Sequence, residues 1–352
     1  MKTDIITVFK SENCGSFLQA WAFKEQLIAL GCDVRFCDYE NSGNTVLKKI
    51  VAVAKCCIRL NFRRAIEVAK KTCAYRKLQK KLKVINSGSD AEAYFYGSDT
   101  LWNFEDSFFC KNAPFFTGAD IKAPCYSFSV SVASTSSELL ASIPEVVENI
   151  KKFKRIAIRD SHTEQVLRNF YTVDKITRTV DPTMLIKKDR YVRQFTSKEQ
   201  FPDKRLVVYH FGGIEDEMWK ALLCFAEKNR LKIVNVGMHR DCDADKSVIA
   251  IPQNFITAFE GAEYIFTNTF HGCVFSTIFN KPFATDGIHK KKIEGFLEEF
   301  GLVDRVVSSP ADVESVFEAP IDYGRVNSFV EEKRKASIEY LESCIREVSE
   351  NE

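Results

Sequence analysis

Short apolar runs alternate with amphipathic stretches along most of the chain. "DIITVF" from Asp4 predicts a strand, "SFLQAWAFKEQLIALG" a helix stopped by Gly31, and "VRFCDY" the next strand. "AYFYGS", "CYSFSVSVA", "RIAIRD" and "ITRTVD" continue the strand series, with helical stretches between several of them. The second half repeats the scheme more regularly: "RLVVYHF", a helix over "EDEMWKALLCFAEKN", "LKIVNVG", "SVIAIP", a helix over "NFITAFEGA", "YIFTN", a helix over "GCVFSTIFN", and "KPFATDG". Strands alternating with helices predict an α/β protein with two Rossmann-like parallel-sheet domains, helices covering the sheet faces. The expected boundaries are 1–190 for the first domain and 204–322 for the second, with 323–352 a long amphipathic C-terminal helix. Between the domains, residues 187–204 are charged, weakly periodic and contain Pro202, as suits a linker.

Composition narrows the class. The 352 residues exceed one ordinary domain, and 50 Lys and Arg nearly balance 48 Asp and Glu, so total charge gives no reason to expect nucleic acid. No stretch reaches the roughly 18–20 apolar residues of a membrane span, and the apolar run at the N-terminus is too short for a signal sequence and carries Asp4. Twelve Cys are present without any C-x-x-C pair, and most lie in apolar elements. That spacing argues for reduced Cys used as small hydrophobes in a cytoplasmic protein, with no metal site. One segment departs from the balance: residues 48–83 hold thirteen Lys or Arg and one acid, Glu67, interleaved with apolar residues. It reads either as a basic surface facing anionic lipid or as a solvated helical excursion.

Candidate chemistry collects where strands end. In "TNTFHGCVFSTIFNKPF" a strand runs through Thr267, Asn268 and Thr269 into His271-Gly272 and then a helix. Such a turn sets an imidazole, two hydroxyls and unpaired amides at a helix N-terminus, where anions are favoured and a proton can be moved. "SENCGS" places Asn13, Gly15 and Ser16 before the first long helix. "GSDTLWN" offers Asp99 as a base or sugar contact and Trp102 as a stacking ring, or else an Asx turn with a core Trp. Arg159 ends "RIAIR", where its fork suits a carboxylate, with Asp160 beside it. Asp181-Pro182 reads as a capped structural turn. No G-x-G-x-x-G, G-x-S-x-G, H-E-x-x-H or Walker motif occurs. Of five His, His271 has the most site-like context; His162 and His289 come second, and His210 and His239 read as element ends or loops.

Taken in order, "NCGSFLQAWA", "GSDTLWN", "SFSVSVAS", "IAIRDS", "VDPTMLI" and "FHGCVFSTIFNKPF" resemble the polysaccharide pyruvyl transferase family, in its Phe-His-Gly branch, over most of the chain. The resemblance implies a GT-B-like pair of lobes facing a cleft. It implies transfer of pyruvate from phosphoenolpyruvate onto two hydroxyls of a sugar in a cell-surface polysaccharide or its precursor, forming a cyclic ketal and releasing phosphate. No cofactor is implied. In that frame His271 is the acid/base, with Asp99 also catalytic; Arg159 pairs with the donor carboxylate; and Thr267, Thr269 and the Gly272 amide hold phosphate. Asn13 and Asp99 meet the acceptor sugar or lipid-linked oligosaccharide; by their own pattern Gly15 and Ser16 open a helix that can meet a substrate oxygen or phosphate, and Trp102 can stack on a sugar. Two departures matter. Thr269 stands where better understood members carry a donor-gripping Arg, so Lys281, Lys290, Lys291 and Lys292 are candidates for the missing charge. Thr100 replaces a Gln favoured in this branch. The implied place is cytoplasmic, with peripheral attachment at the inner membrane face through residues 48–83. The alternatives are a GT-B-like glycosyltransferase using a nucleotide sugar, which Thr269 favours, and a non-catalytic binding protein of a polysaccharide assembly complex.

Overall fold

The computed structural model describes residues 1–39, 62–85, 90–172, 175–237, 244–287 and 290–350. Its first lobe is a parallel sheet of β1 (Lys2–Ile6), β2 (Asp33–Cys37), β3 (Val84–Ile85), β4 (Ala93–Tyr96) and β5 (Cys125–Ser127), in spatial order β3-β2-β1-β4-β5. Every pair is parallel, with Thr3 opposite Val34 on one side and Ala93 on the other. The second lobe repeats that order with β8 (Arg205–Tyr209), β9 (Lys232–Val236), β10 (Lys246–Val248), β11 (Tyr264–Thr267) and β12 (Phe283–Thr285), arranged β10-β9-β8-β11-β12. Strand order reverses between β1 and β4, and again between β8 and β11. Such reversals open a crevice at the strand carboxyl ends, where ligands bind in α/β sheets.

The expected runs supply the strands of both lobes except β3 (Val84–Ile85), which no run announced, and "SVIAIP" is strand only through Val248. The run "CYSFSVSVA" is also cut short: only Cys125–Ser127 is strand, and the rest continues through single bridges, Asp99 with Val130 and Val130 with Ile158. Ser129 and Ala133 adopt left-handed φ angles of 52° and 50°, which breaks the extended run. Beyond β5, β6 (Ile156–Ile158) and β7 (Ile176–Arg178) form a two-stranded parallel ladder.

Helix α1 (Cys14–Ala29) leaves β1 and buries almost all of its length. It packs against α10 (Pro252–Glu260) and the 3-10 turn at Pro182–Leu185, placing the first lobe directly on the second. One continuous apolar cluster therefore runs across both sheets, from Ile5, Phe17 and Trp21 to Val207, Phe255 and Phe275. Aromatic rings stitch the seam: Trp21 lies 5.3 Å from Tyr191, and Tyr191 lies 5.0 Å from Phe275. Tyr191 belongs to the helix Lys188–Gln194, which occupies the first part of the segment 187–204 expected to be a linker; the rest of it is irregular. The C-terminal helix, α14 (Tyr323–Ser349), returns to the first lobe. There the Tyr340 hydroxyl donates to the Ser127 carbonyl at 2.9 Å, and the Ser337 hydroxyl accepts from the Val180 amide at 3.0 Å.

The basic excursion is described only from Phe62 onward. Helix α2 (Phe62–Gln79) buries Ala65, Thr72, Tyr75 and Leu78, and Arg63, Arg64 and Lys70 stay exposed. Lys48, Lys49, Lys55 and Arg59 lie outside the described residues, as do His239 and His289. No described helix is long and apolar enough to cross a membrane.

Candidate functional site between the lobes

His271 stands in the first turn of α11 (Phe270–Ile278), directly after β11. Its ring lies against the first turn of α1: a Cβ placed on Gly15 would stand 2.0 Å from the His271 Nδ1. Only glycine leaves room there, which accounts for Gly15 in "NCGS" more specifically than turn formation does. The Asn13 side chain accepts from the Gly15 amide at 2.8 Å, fixing the turn that receives the imidazole. The other ring nitrogen, Nε2, makes no hydrogen bond among the described residues and faces the Asp181 Oδ2 at 3.6 Å.

Asp181 is the junction of the site. Its Oδ1 accepts from the Thr183 amide at 3.0 Å and from the Thr183 hydroxyl at 2.7 Å, so it caps its turn as the sequence suggests. Its Oδ2 does something the sequence did not reveal: it accepts from the Arg159 Nη1 at 3.2 Å and from the Ser98 hydroxyl at 3.4 Å, beside His271. Burial works to raise this carboxyl, but His271 and Arg159 hold it well below the usual carboxylate range.

Arg159 is 5% exposed and has three carboxylates around it: Asp181, Asp99 at 3.8 Å and Asp160 at 3.9 Å. Its guanidinium lies 4.4 Å from the centre of the Phe270 ring on the opposite lobe. Only Nη1 is hydrogen-bonded. Nε and Nη2, which form the side-on fork, make no hydrogen bond among the described residues. Asp160 leaves that fork open because its Oδ1 caps the next helix, accepting from Thr163 at 2.8 Å. Buried donors of this kind are costly unless something binds them.

Asp99 completes the floor. Its Oδ2 accepts from the Ser16 hydroxyl at 3.1 Å, and its backbone adopts a left-handed φ of 76°. For a non-glycine residue that costs on the order of 1–3 kcal/mol, a strain characteristic of functional sites. Burial raises the Asp99 carboxyl, while Lys292, Arg159 and His271 lower it, and the net direction is down. Lys292 opens α12 (Lys291–Phe300) and lines the same crevice as Arg159, Asp181 and Phe270. Burial lowers its own pKa, against the pull of Asp99. Of the four lysines offered as substitutes for the missing Arg, Lys292 is the one placed here.

Other expectations move. The Thr269 hydroxyl accepts from the Gly272 amide at 2.9 Å, and the Thr267 hydroxyl donates to the Tyr209 carbonyl at 2.6 Å. A Cβ on Gly272 would meet the Thr267 hydroxyl at 2.1 Å. The turn is thus closed on itself, and these three residues hold α11 in place instead of offering donors to phosphate. Trp102 is fully buried and donates from Nε1 to the Phe116 carbonyl at 3.1 Å, so it is a core ring and not a sugar platform. Lys281 follows the C-terminal end of α11, at the amino end of β12, remote from the crevice. Asp181 and Lys292 are the residues that sequence reasoning undervalued. Their only sequence signal was a Pro-linked acid after a strand and a run of three lysines.

A separate cavity of about 650 Å³ lies on the outer face of the first sheet, lined by Ile6, Cys37, Tyr94, Lys111 and Phe115, and it includes none of the crevice residues. Among the described residues, no group of three or more His, Cys, Asp or Glu is arranged to hold a metal ion.

Solved structures share this architecture. UDP-GlcNAc 2-epimerase from Methanocaldococcus jannaschii superposes with a TM-score of 0.54 at 11% identity, over 92% of this chain and 93% of its own. A putative UDP-N-acetylglucosamine 2-epimerase from Listeria monocytogenes gives 0.53 at 10% identity, over 100% and 97%. Arabidopsis thaliana UGT89C1, solved with quercetin, gives 0.52 at 11% identity, over 97% and 98%. At such identities the likeness establishes a GT-B-like fold of two Rossmann-like lobes and nothing about substrate. No curated protein matches the sequence. The family is settled by sequence: residues 13–285 match the polysaccharide pyruvyl transferase model, and the chain belongs to that family. It is accordingly a transferase of polysaccharide pyruvylation.

Proposed function

We propose that the protein moves pyruvate from phosphoenolpyruvate onto two hydroxyls of one sugar in a cell-surface polysaccharide or its precursor, forming a cyclic ketal. The observation that carries this is the buried side-on fork of Arg159: Nε and Nη2 make no hydrogen bond among the described residues, while Nη1 meets Asp181 at 3.2 Å, and Asp181 also faces the His271 Nε2 at 3.6 Å. A fork of two parallel N–H groups matches a carboxylate or phosphate, and Lys292 adds a second positive charge. A small anionic donor fits the fork by its geometry, because Asp99, Asp160 and Asp181 offset the charges of Arg159 and Lys292.

The chemistry needs one proton delivered to the donor methylene carbon and one taken from each sugar hydroxyl. The second of these leaves with phosphate. His271 is the group for delivery, its Nε2 facing the Asp181 Oδ2 at 3.6 Å across the lobe interface. The first hydroxyl oxygen then bonds to C2, and the second displaces phosphate at the same carbon. Asp99, tied to Ser16, stands on the acceptor side as the proton acceptor. Running the reaction in D₂O tests the assignment. One deuterium enters the ketal methyl group with wild-type protein, and His271→Ala loses both phosphate release and label. Turnover by His271→Ala near the wild-type rate would remove His271 from this role.

Helix α2 suggests where the acceptor is met. It exposes Phe62 and Ile66 beside Arg63, Arg64 and Lys70, and its Tyr75 reaches the second lobe, donating to the Ala250 carbonyl at 3.2 Å. A basic helix with exposed apolar residues at the edge of the cleft suits an anionic membrane bearing a lipid-linked acceptor.

A further inference from the structure

Phe211 follows β8 at the switch point of the second sheet and is 48% exposed, although its backbone is locked. The Asn268 side chain clamps it from both sides: the Phe211 amide donates to Oδ1 at 2.8 Å, and Nδ2 donates to the Phe211 carbonyl at 2.8 Å. The Lys290 Nζ holds the Asn268 carbonyl in turn at 2.6 Å. Gly212 and Gly213 come next, and among the described residues a Cβ on either would meet nothing within 4 Å. The ring rests at 5.3 Å on Tyr209, on the side facing the first lobe, where Tyr209 interacts with the Cys14 thiol one residue before Gly15. Asn268 precedes His271 by three residues, which bounds their Cα separation at about 11 Å.

We propose that Phe211 is a stacking platform for a neutral sugar ring of the acceptor, next to the sugar that reacts. The proposal rests on the sugar-directed reading above and adds a subsite to it. A rigid, exposed aromatic ring beside a catalytic crevice loses little freedom on binding and presents a flat apolar face. Charge selects the ligand. Exposed Glu215, Asp216 and Glu217 lie at the start of the helix after Gly213 and balance Lys290 beneath the clamp, which leaves a neutral glycoside favoured over a nucleotide diphosphate.

Saturation-transfer NMR on the full chain without donor tests this. The probes are the methyl β-glycosides of glucose, galactose, mannose and N-acetylglucosamine, with UDP as the anionic comparison. At least one neutral glycoside receives saturation. Phe211→Ala weakens its binding roughly tenfold, the scale of one aromatic contact. Phe211→Tyr retains it, and circular dichroism is unchanged in both. The platform is overturned if no neutral glycoside receives saturation, if Phe211→Ala leaves it intact, or if UDP is instead the probe that this variant loses. Glycoside binding without any phosphate release from phosphoenolpyruvate would defeat the donor assignment and leave the platform standing. Phosphate release with glycoside binding indifferent to Phe211 would defeat the platform alone.

Discussion

Replacing Gly15 by alanine strikes the contact that joins the two halves of the site. The new methyl carbon would stand 2.0 Å from the His271 Nδ1, 2.4 Å from Cγ and 2.8 Å from Cε1. To reach ordinary contact at 3.4 Å the ring must retreat by about 1.4 Å, or the lobes must part by a similar amount. Either movement displaces Nε2 from its present position 3.6 Å from the Asp181 Oδ2. A misplacement of about 1 Å costs on the order of a hundredfold in rate, equivalent to roughly 2.7 kcal/mol of barrier. Stability should fall or stay level, because the overpacked contact costs typically about 1–3 kcal/mol, against a gain of at most about 1 kcal/mol from replacing glycine in a helix. Phosphate release at saturating phosphoenolpyruvate, beside thermal melting of the same sample, reads both effects. A Gly15→Ala protein that melts normally and turns over at the wild-type rate would refute the idea that α1 seats the catalytic imidazole.

Asp181→Asn should cut turnover sharply and flatten the acid limb of the stability profile. The folded-state carboxyl lies below its unfolded value, so its contribution is present above about pH 3.9 and is lost as pH falls through the lower folded value. Wild-type melting temperature should therefore fall below about pH 4 more steeply than the variant's, and parallel profiles would contradict this. Lys292→Met should weaken donor binding at neutral pH and abolish an alkaline loss of affinity. In the wild type that loss sets in below the usual lysine range, because burial lowers this pKa; titrations across pH would show no such difference if Lys292 never meets the donor. Reversing Arg63, Arg64, Lys70 and Lys71 to Glu should cut co-sedimentation with anionic vesicles but spare activity on a soluble acceptor. Each basic residue near such a surface contributes about 1 kcal/mol, screened over ~10 Å at 0.1 M salt, and wild-type protein that ignores these vesicles at low salt would end the membrane assignment.

The two sheets were legible because their strands are short apolar runs between amphipathic helices, and periodicity reports that directly. His271 was legible for the same local reason: a strand, a hydroxyl-rich turn and a helix follow one another within "TNTFHG". What the pattern hid is what crosses the lobes. Asp181 looked structural because one of its oxygens is structural; the other meets a His ninety residues away, a contact no local spacing encodes. Lys292 was one of four lysines until the crevice selected it. Trp102 and Thr267 misled in the opposite direction, since motifs near a site contain residues that build it as well as residues that use it. Trp102 fills the core, and Thr267 ties β11 to β8.

Calorimetric titration of the wild type and of Arg159→Ala with phosphoenolpyruvate, and separately with UDP-GlcNAc, tests the central claim most directly. Binding of phosphoenolpyruvate by the wild type, weakened roughly tenfold to a hundredfold in the variant as a lost charge-assisted pair requires, with no heat from UDP-GlcNAc, is the expected result. Binding of UDP-GlcNAc with none of phosphoenolpyruvate would contradict it and make the crevice that of a nucleotide-sugar enzyme.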